Sequence, residues 1–479
     1  MSARIFPQYI AGELVSHDAT IDVINPADNT VSGAIVASTR ADVDRALEAA
    51  QAAFPGWSQL SGAERADWMD RLRVAVVAER EVLTNLVHIE MGKPWAGAVE
   101  DFEMLVSSLE YYAGLARELD SSTLEDPHGT HTHRIVREPL GVVGAFLAWN
   151  FPLLNLAYKI GPAMASGCPI VIKPSAKTPL STYEVGRICH EIGLPAGVVN
   201  VVGGDDAAIG DQISASPIPA ILTLIGSTET GKHVIRTGAT SIKRYSMELG
   251  GNAPALVFAD ADLDLAADTI AALKFGNSGQ ICVTPNRVYA EPEIAEELAS
   301  KIVERANAVK VGFDRDAEIG MGPLIDAGAR TRIEGLVSDA ALQGAEVLAG
   351  NCIPENVASD AFFAPTVLGS VGQDMRVARE EVFGPVVNLM EPVAGEAAMI
   401  AAANDTDAAL TAYVFTKDAA KAQRCADALR FGEVQVNGVK YSIELPHGGF
   451  KQSGVGVDCS HFALDDYFAI KRISTAITT

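Results

Sequence analysis

Basic residues are scarce in this chain. Its 37 Lys and Arg stand against 61 Asp and Glu, a formal net charge of −24. Such a surface repels polyanions, so neither nucleic acid nor an anionic membrane is expected as a partner. Cysteines are few and dispersed: Cys168, Cys189, Cys282, Cys352, Cys425 and Cys459 include no pair at the CxxC spacing of a zinc or redox site. The chain is also far too long to be a disulfide-stapled scaffold. Reduced thiols in a cytoplasmic protein are therefore expected. Long hydrophobic runs are lacking, and none approaches the ~20 residues that a membrane span needs. The amino terminus, MSARIFPQYIAGELVSHD, has no basic start followed by an apolar run, so no signal peptide is expected. Repeats and low-complexity tracts are absent. What is present is an ordinary globular composition, 48% hydrophobic and 20% charged over 479 residues, enough for roughly three structural units.

Residues 1–40 read as short strands broken by turns such as INPADNT. Val43, Ala46, Leu47, Ala50 and Phe54 fall at helical spacing, which predicts a helix over 42–54 ended by Pro55-Gly56. Further helices are expected over about 62–120. The segment THTHRIVREP alternates, predicting a strand that leaves the compact body. From residue 141 apolar strands and helices take turns: GVVGAFLAW, PLLNLAYKIGPAMASG, PIVIKPS, STYEVGRICHEIG, VVNVVGG, AILTLIGS. This texture means a parallel, doubly wound sheet, which binds ligands at the carboxyl ends of its strands. A second α/β section spans about 250–466, and the alternating tail FAIKRISTAITT reads as an edge strand. The tail and strand 130–139 have no evident partner nearby in sequence, so pairing between subunits is expected.

Several residues can carry chemistry. Cys282, in FGNSGQICVTPNR, follows glycine and small polar residues that let a ligand approach the backbone. Most lone cysteines are buried and inert, so its surroundings decide. Glu248, in MELGGNAP, precedes two glycines; a solvated or ion-paired glutamate is the plain alternative. Asn150 follows a buried strand in AWNFP, where it serves either as a turn residue or as an amide donor to an oxyanion. GSTETG at 226–231 follows an apolar strand and opens a helix, a place for backbone N–H groups against a pyrophosphate, or simply a tight turn. Lys173 ends another strand in KPS, and EEVFGPV puts Glu381 and Phe383 before a Gly-Pro turn.

WNFP, KPS with TP, GSTETG, ELGGNAP, GQIC, EEVFGPV and PHGGFKQSG occur in one order along essentially the whole chain, with Glu248 34 residues before Cys282. Any one is weak; the ordered set is highly specific. The chain resembles the aldehyde dehydrogenase superfamily, and its carboxyl-terminal run ELPHGGFKQSGVGVDCSHFALDDY is similar to the aminobutyraldehyde dehydrogenase branch. The resemblance implies two doubly wound α/β domains and a small β oligomerisation arm. It places the dinucleotide-binding domain in 1–121 and 140–249, the catalytic domain in 250–467, and the arm in 122–139 and 468–479. It also implies a homodimer or homotetramer. By the same resemblance Cys282 matches the nucleophile, Glu248 the base, and Asn150 the oxyanion donor, with the Cys282 backbone N–H beside it. Lys159 and Asp458 lie where many members carry a Lys–Glu proton relay, though Asp is shorter. NAD or NADP would be held by Trp149, Lys173, Ser175, Ala176, Gly210, Gly226, Ser227, Gly231, Leu249, Gly250, Glu381 and Phe383. The chemistry, a thiohemiacetal that becomes a thioester and is hydrolysed, calls for no metal.

Two departures bear on the cofactor. Members that prefer NAD often read KPxE; here the Glu position is Ala176, followed by Lys177, which leaves room for a 2′-phosphate and predicts that NADP⁺ serves at least comparably with NAD⁺. Asp206 stands where many members have Gly, and pulls the other way. For substrate, members acting on succinate semialdehyde usually carry two arginines where this chain has Tyr158 and Gly276. An uncarboxylated aldehyde is expected, with ω-aminoaldehydes foremost because Glu100, Asp101 and Glu103 lie where aminoaldehyde enzymes hold acids. A solvated acidic face is the alternative. A succinate-semialdehyde-type enzyme, a CoA-acylating enzyme on the same fold and a non-catalytic structural protein are the competing functions. Glu248 argues against the second, and Cys, Glu and Asn together against the third.

Overall fold

The computed structural model describes residues 4–119, 122–315 and 318–477. The predicted boundary at 121 and the last two residues of the 468–479 tail lie outside them. Two parallel sheets organise the chain. The first has eight strands in the order Gly454–Val455, Arg244–Glu248, Pro219–Ile225, Val142–Phe146, Ile170–Lys173, Val199–Val201, Gln8–Ile10, Glu13–Val15. The five strands from Arg244–Glu248 to Val199–Val201 run parallel; Gly454–Val455 and Gln8–Ile10 run antiparallel to them, and Glu13–Val15 pairs antiparallel with Gln8–Ile10. From Val142–Phe146 the chain first winds one way through Ile170–Lys173, then returns to the other side with Pro219–Ile225. Ligand crevices form where winding reverses, and Asn150 and Gly226 follow the two strands that flank this switch.

The second sheet has seven strands in the order Glu346–Ala349, Thr366–Val371, Val386–Met390, Pro285–Ala290, Ala253–Val257, Thr411–Phe415, Glu433–Val436, all parallel except the first. Its central strands are buried along their length and read as continuous apolar runs, as strands covered on both faces must. Cys282, Gly250–Asn252 and Glu381–Phe383 sit just before strands of this sheet, so its amino ends meet the carboxyl ends of the first.

The helix predicted over 42–54 spans Arg40–Gln59, opened by a Thr39–Asp42 capping box and running through Pro55. Gln51, whose carbonyl loses its helical partner at Pro55, is exposed, so water replaces the missing bond. The arm corrects a second expectation. Strand Phe468–Ala476 pairs antiparallel with His131–Pro139 of the same chain, Phe468 opposite Pro139 and Ala476 opposite His131. The two are distant in sequence, but Leu140 N–H donates to the Tyr467 carbonyl at 2.9 Å, so both enter the arm at one point. Ser122–Leu124 completes a three-stranded sheet.

Candidate active site

Asn150 leaves the strand Val142–Phe146 just before the helix Pro152–Ser166. Asp101 fixes that helix's start by accepting the Leu154 N–H at 2.6 Å, and the fully buried Lys93 ammonium lies 2.9 Å from the same carboxylate. Asp101 is thus a buried structural anion, and the expectation that it meets a substrate amine is corrected. Breaking one partner of such a pair typically costs ~3–5 kcal/mol. Glu103 pairs with Arg80 at 2.5 Å; Glu100 lines the cavity alongside both.

The Asn150 amide is oriented from both ends. Its Nδ2 donates to the Gln280 carbonyl at 3.0 Å, and its Oδ1 accepts from Asn155 at 3.3 Å. One Nδ2 hydrogen remains for a ligand oxygen. Gln280 belongs to the turn that presents Cys282, where Asn277 and Ser278 hold φ of 48° and 55°; strain of this kind concentrates at functional sites. A side chain at Gly251 would press on the Cys282 carbonyl oxygen, which explains why ELGGNAP needs its second glycine. Cys282 itself is partly exposed to a cavity of about 1080 Å³ that Asn150, Glu248, Glu381 and Phe383 also line. Burial, then the Glu248 carboxylate, push its thiol up, while His447 pulls it down.

Glu248 ends its strand with a buried side chain whose Oε1 has no hydrogen-bond partner. Its neighbour is His447, absent from the sequence expectations: His447 Nε2 lies 3.4 Å from Glu248 Oε1, and Nδ1 lies 2.5 Å from Glu433 Oε1. The reactive atoms of Glu248, Cys282 and His447 fall within 4.8 Å of one another. Lys159 and Asp458 form a buried pair, Nζ 2.7 Å from both carboxylate oxygens. Main-chain hydrogen bonds in both directions tie Asp458 to His447.

Most residues expected to hold a dinucleotide lie at the carboxyl edge of the first sheet, and Glu381 and Phe383 face them from the second. Ser227 caps the helix Thr228–Gly238 by accepting the Thr230 N–H, and a side chain at Gly231 would meet Leu249 Cδ2 at 2.6 Å. Trp149 and Phe383 stand edge to face at 5.4 Å between centroids. Glu381 Oε1 accepts the Gly251 N–H at 2.9 Å, and a side chain at Gly250 would reach within 2.5 Å of Glu381 Oε2. A helix amino terminus for an anion, a carboxylate for hydroxyls and glycines kept bare fit a dinucleotide. Ser175 is buried and accepts the Lys177 N–H at 3.3 Å; Gly210 lies inside the helix Asp206–Ala215. Lys177 pairs with Asp326 at 2.6 Å, which offsets the positive potential expected of it. Tyr158 lines the cavity, and Gly276 opens the strained turn before Cys282.

The sequence pattern of the Aldehyde dehydrogenase family matches residues 14–473. The mitochondrial succinate-semialdehyde dehydrogenase of Oryza sativa subsp. japonica is 37% identical over 455 residues, 95% of this chain and 86% of that one. The succinate-semialdehyde dehydrogenase [NADP(+)] of Escherichia coli is 35% identical over 452 residues, covering 94% and 93%. The crystal structure of betaine aldehyde dehydrogenase from Staphylococcus aureus in complex with NAD⁺ superposes with a TM-score of 0.95 at 34% identity, covering 99% and 95%. The chain belongs to the aldehyde dehydrogenase family and is an NAD(P)-dependent oxidoreductase.

Proposed function

We propose that this enzyme oxidises an uncarboxylated aldehyde to its acid, with Cys282 as nucleophile, Glu248 as hydrolytic base and Asn150 as oxyanion donor. The observation that carries the reading is the convergence of an oriented amide, a thiol and a buried carboxylate on one cavity. The Cys282 sulfur adds to the aldehyde carbon. Asn150 Nδ2, with the Cys282 N–H, stabilises the alkoxide, and loss of one such donor typically costs ~10²–10³ in rate. A nicotinamide held beside Cys282 by Glu381 and Phe383 would supply the hydride acceptor. Glu248 then takes a proton from the water that cleaves the thioester.

Walls of Leu154, Phe151, Tyr158, Tyr441 and Ile281, with Glu100 beside them, suit a neutral or cationic chain. ω-Aminoaldehydes are the leading class. The names of the relatives favour a second reading, a carboxylated semialdehyde. Against it, the arginine among the described lining residues, Arg332, donates to the Glu381 and Val382 carbonyls. The Lys159–Asp458 pair holds the floor beneath His447. The domain division of this reading is 1–121 with 140–249, 250–467, and the arm, with Gly454–Val455 returned to the cofactor sheet. Assembly into a homodimer or homotetramer goes with it: the arm's two outer strands expose Leu124 and Ile470 at 56% and 63%. Six free cysteines accord with cytoplasmic residence. Among the described residues no helix is long and apolar enough to cross a membrane.

The test is reduced-nicotinamide absorbance with an aldehyde panel, either dinucleotide, with and without CoA. Cys282→Ala should abolish oxidation of every aldehyde and leave dinucleotide affinity nearly unchanged. Appreciable turnover by that variant refutes the assignment, and dependence on CoA points to acyl transfer instead.

A further inference from the structure

The sequence motif PHGG places a histidine in the active cavity, and the reading above leaves it unused. His447 is 8% exposed. Its backbone is pinned by N–H to carbonyl bonds exchanged with Asp458 at 2.8 and 2.7 Å. Its two ring nitrogens face opposite partners. Nδ1 meets Glu433 Oε1 at 2.5 Å. Nε2 looks into the cavity, 3.4 Å from Glu248 Oε1 and in the same 4.8 Å cluster as Cys282 Sγ. Glu433 opens the last strand of the second sheet and is further held by the Thr411 hydroxyl at 3.1 Å. Carboxylate, imidazole and thiol therefore follow one another across the cavity floor.

We infer that His447, oriented by Glu433, takes the Cys282 proton and then holds the thiolate as its imidazolium partner, leaving Glu248 free to serve the hydrolytic water. The inference rests on Cys282 being the nucleophile. A carboxylate on one ring nitrogen fixes the tautomer and stabilises the imidazolium, and an adjacent imidazolium stabilises a thiolate. The need is plain in this site. Burial and the Glu248 charge both oppose ionisation of Cys282, and His447 is the group that favours it. Glu248 is a poor substitute, since proton transfer to it leaves no positive charge beside the thiolate, whereas transfer to His447 creates one.

The proton balance closes. The S–H proton moves to His447 Nε2, and its bonding pair stays on sulfur as the thiolate. That pair forms the C–S bond to the aldehyde carbon. When the thioester is hydrolysed, Glu248 takes a proton from water, the C–S bond breaks and sulfur leaves as thiolate beside the imidazolium. His447 thus keeps one proton through the turnover while Glu248 passes its own to solvent. The charged or titratable groups facing the imidazole are Glu433, Glu248, Cys282, Asp458 and Cys459, with the phenols of Tyr158 and Tyr441 at 6.0 and 6.2 Å between ring centroids. Of these, Glu433 makes the short contact to the ring.

The experiment is the rate of iodoacetamide alkylation of Cys282 in the full-length enzyme without cofactor, read by peptide mass spectrometry so that the exposed Cys352 does not contribute. It is followed between about pH 5 and pH 9, the span over which thiol–imidazole pairs titrate. His447→Gln should slow alkylation at neutral pH by about tenfold or more and move its profile up by at least about one pH unit. Glu433→Gln, nearly isosteric, should move it the same way by less. Glu248→Gln removes a charge that opposes the thiolate, so it should move the profile down, opposite to His447→Gln, while stalling turnover. Near-ultraviolet circular dichroism and dinucleotide binding confirm that each variant is folded. If His447→Gln does not fold, the Glu433→Gln profile decides. A profile unchanged by the His447 and Glu433 substitutions, or moved up by Glu248→Gln, overturns the proposal. If alkylated Cys282 still supports aldehyde oxidation, it is the nucleophile reading that fails.

Discussion

The Asp206 carboxylate stands 2.5 Å from Lys173 Nζ and accepts the Ala176 N–H at 3.1 Å. A negative charge has thus been brought from the first turn of the helix Asp206–Ala215 to the place where Ala176 supplies none. Its side chain is half exposed, so it can accept a ribose hydroxyl. It also opposes a 2′-phosphate, which carries about −1.5 to −2 at neutral pH. Ala176 and Lys173 favour NADP⁺, and Asp206 offsets them. Asp206→Ala should therefore raise the NADP⁺-to-NAD⁺ ratio of kcat/KM by about tenfold, ~1.4 kcal/mol, with a parallel change in the ratio of dissociation constants from fluorescence titration. An unchanged ratio would show that the carboxylate turns away from the bound ribose.

Glu248→Gln separates the two half-reactions. With the thiol served by His447, the variant should still form the thiohemiacetal and pass hydride, then stall at the thioester. Stopped-flow absorbance should show a burst of reduced nicotinamide of about one equivalent per active site, followed by turnover slowed ~10²-fold or more. A steady-state rate equal to wild type would remove Glu248 from the role of base.

Glu381 gives the cofactor site a pH dependence. Burial pushes its carboxyl up to about 7 and Glu248 adds to this, while the Gly251 N–H, Lys274 and Arg332 oppose it. In the proposed role the ionised form would accept hydrogen bonds from ribose hydroxyls. Affinity should be full above about pH 7 and fall below it by up to ~tenfold per pH unit, because binding must then expel a proton. Isothermal titration of NAD⁺ at pH 6 and pH 8 checks this. Glu381→Gln should weaken binding at pH 8 and flatten the profile, and a wild-type affinity independent of pH would refute it.

Local pattern carried much of this fold. The strand and helix runs read from 141 to 238 are closed by turn residues, and the structure has an element at each, together with the helix Asp206–Ala215, which the pattern does not mark. Pro55 misled because its cost depends on whether the carbonyl four residues earlier can reach water, a tertiary fact. The arm misled in the same way: strand 131–139 finds its partner more than 300 residues away. In the site, Cys282, Glu248 and Asn150 stand in recognisable motifs. Glu433 does not, since nothing in FGEVQVN distinguishes it from a surface glutamate until the sheet sets it against His447. The acids after MGKP show the converse. Glu100, Asp101 and Glu103 look equivalent in sequence and all line the cavity, yet Asp101 is buried against Lys93 and Glu103 pairs with Arg80.

That division among the three acids sharpens the substrate prediction. Asp101 is occupied by Lys93 and the Leu154 N–H, and Glu103 by Arg80. Glu100 remains on the wall near Val99, Met104 and Leu154. An ω-ammonium aldehyde can lay its methylenes along these apolar side chains and place its charge by Glu100. A partly exposed ion pair of this kind is worth ~0.5–1 kcal/mol. Glu100→Gln should therefore raise KM for an ω-aminoaldehyde about two- to fivefold. It should leave kcat, and both constants for an uncharged aldehyde of the same length, nearly unchanged, because Glu100 takes no part in the chemical steps. A semialdehyde of equal length should show a lower kcat/KM than the amine in the wild type, and Glu100→Gln should improve it. If succinate semialdehyde instead proves the best substrate by kcat/KM, the cavity must hold its carboxylate through groups other than the paired arginines, and the amine reading falls.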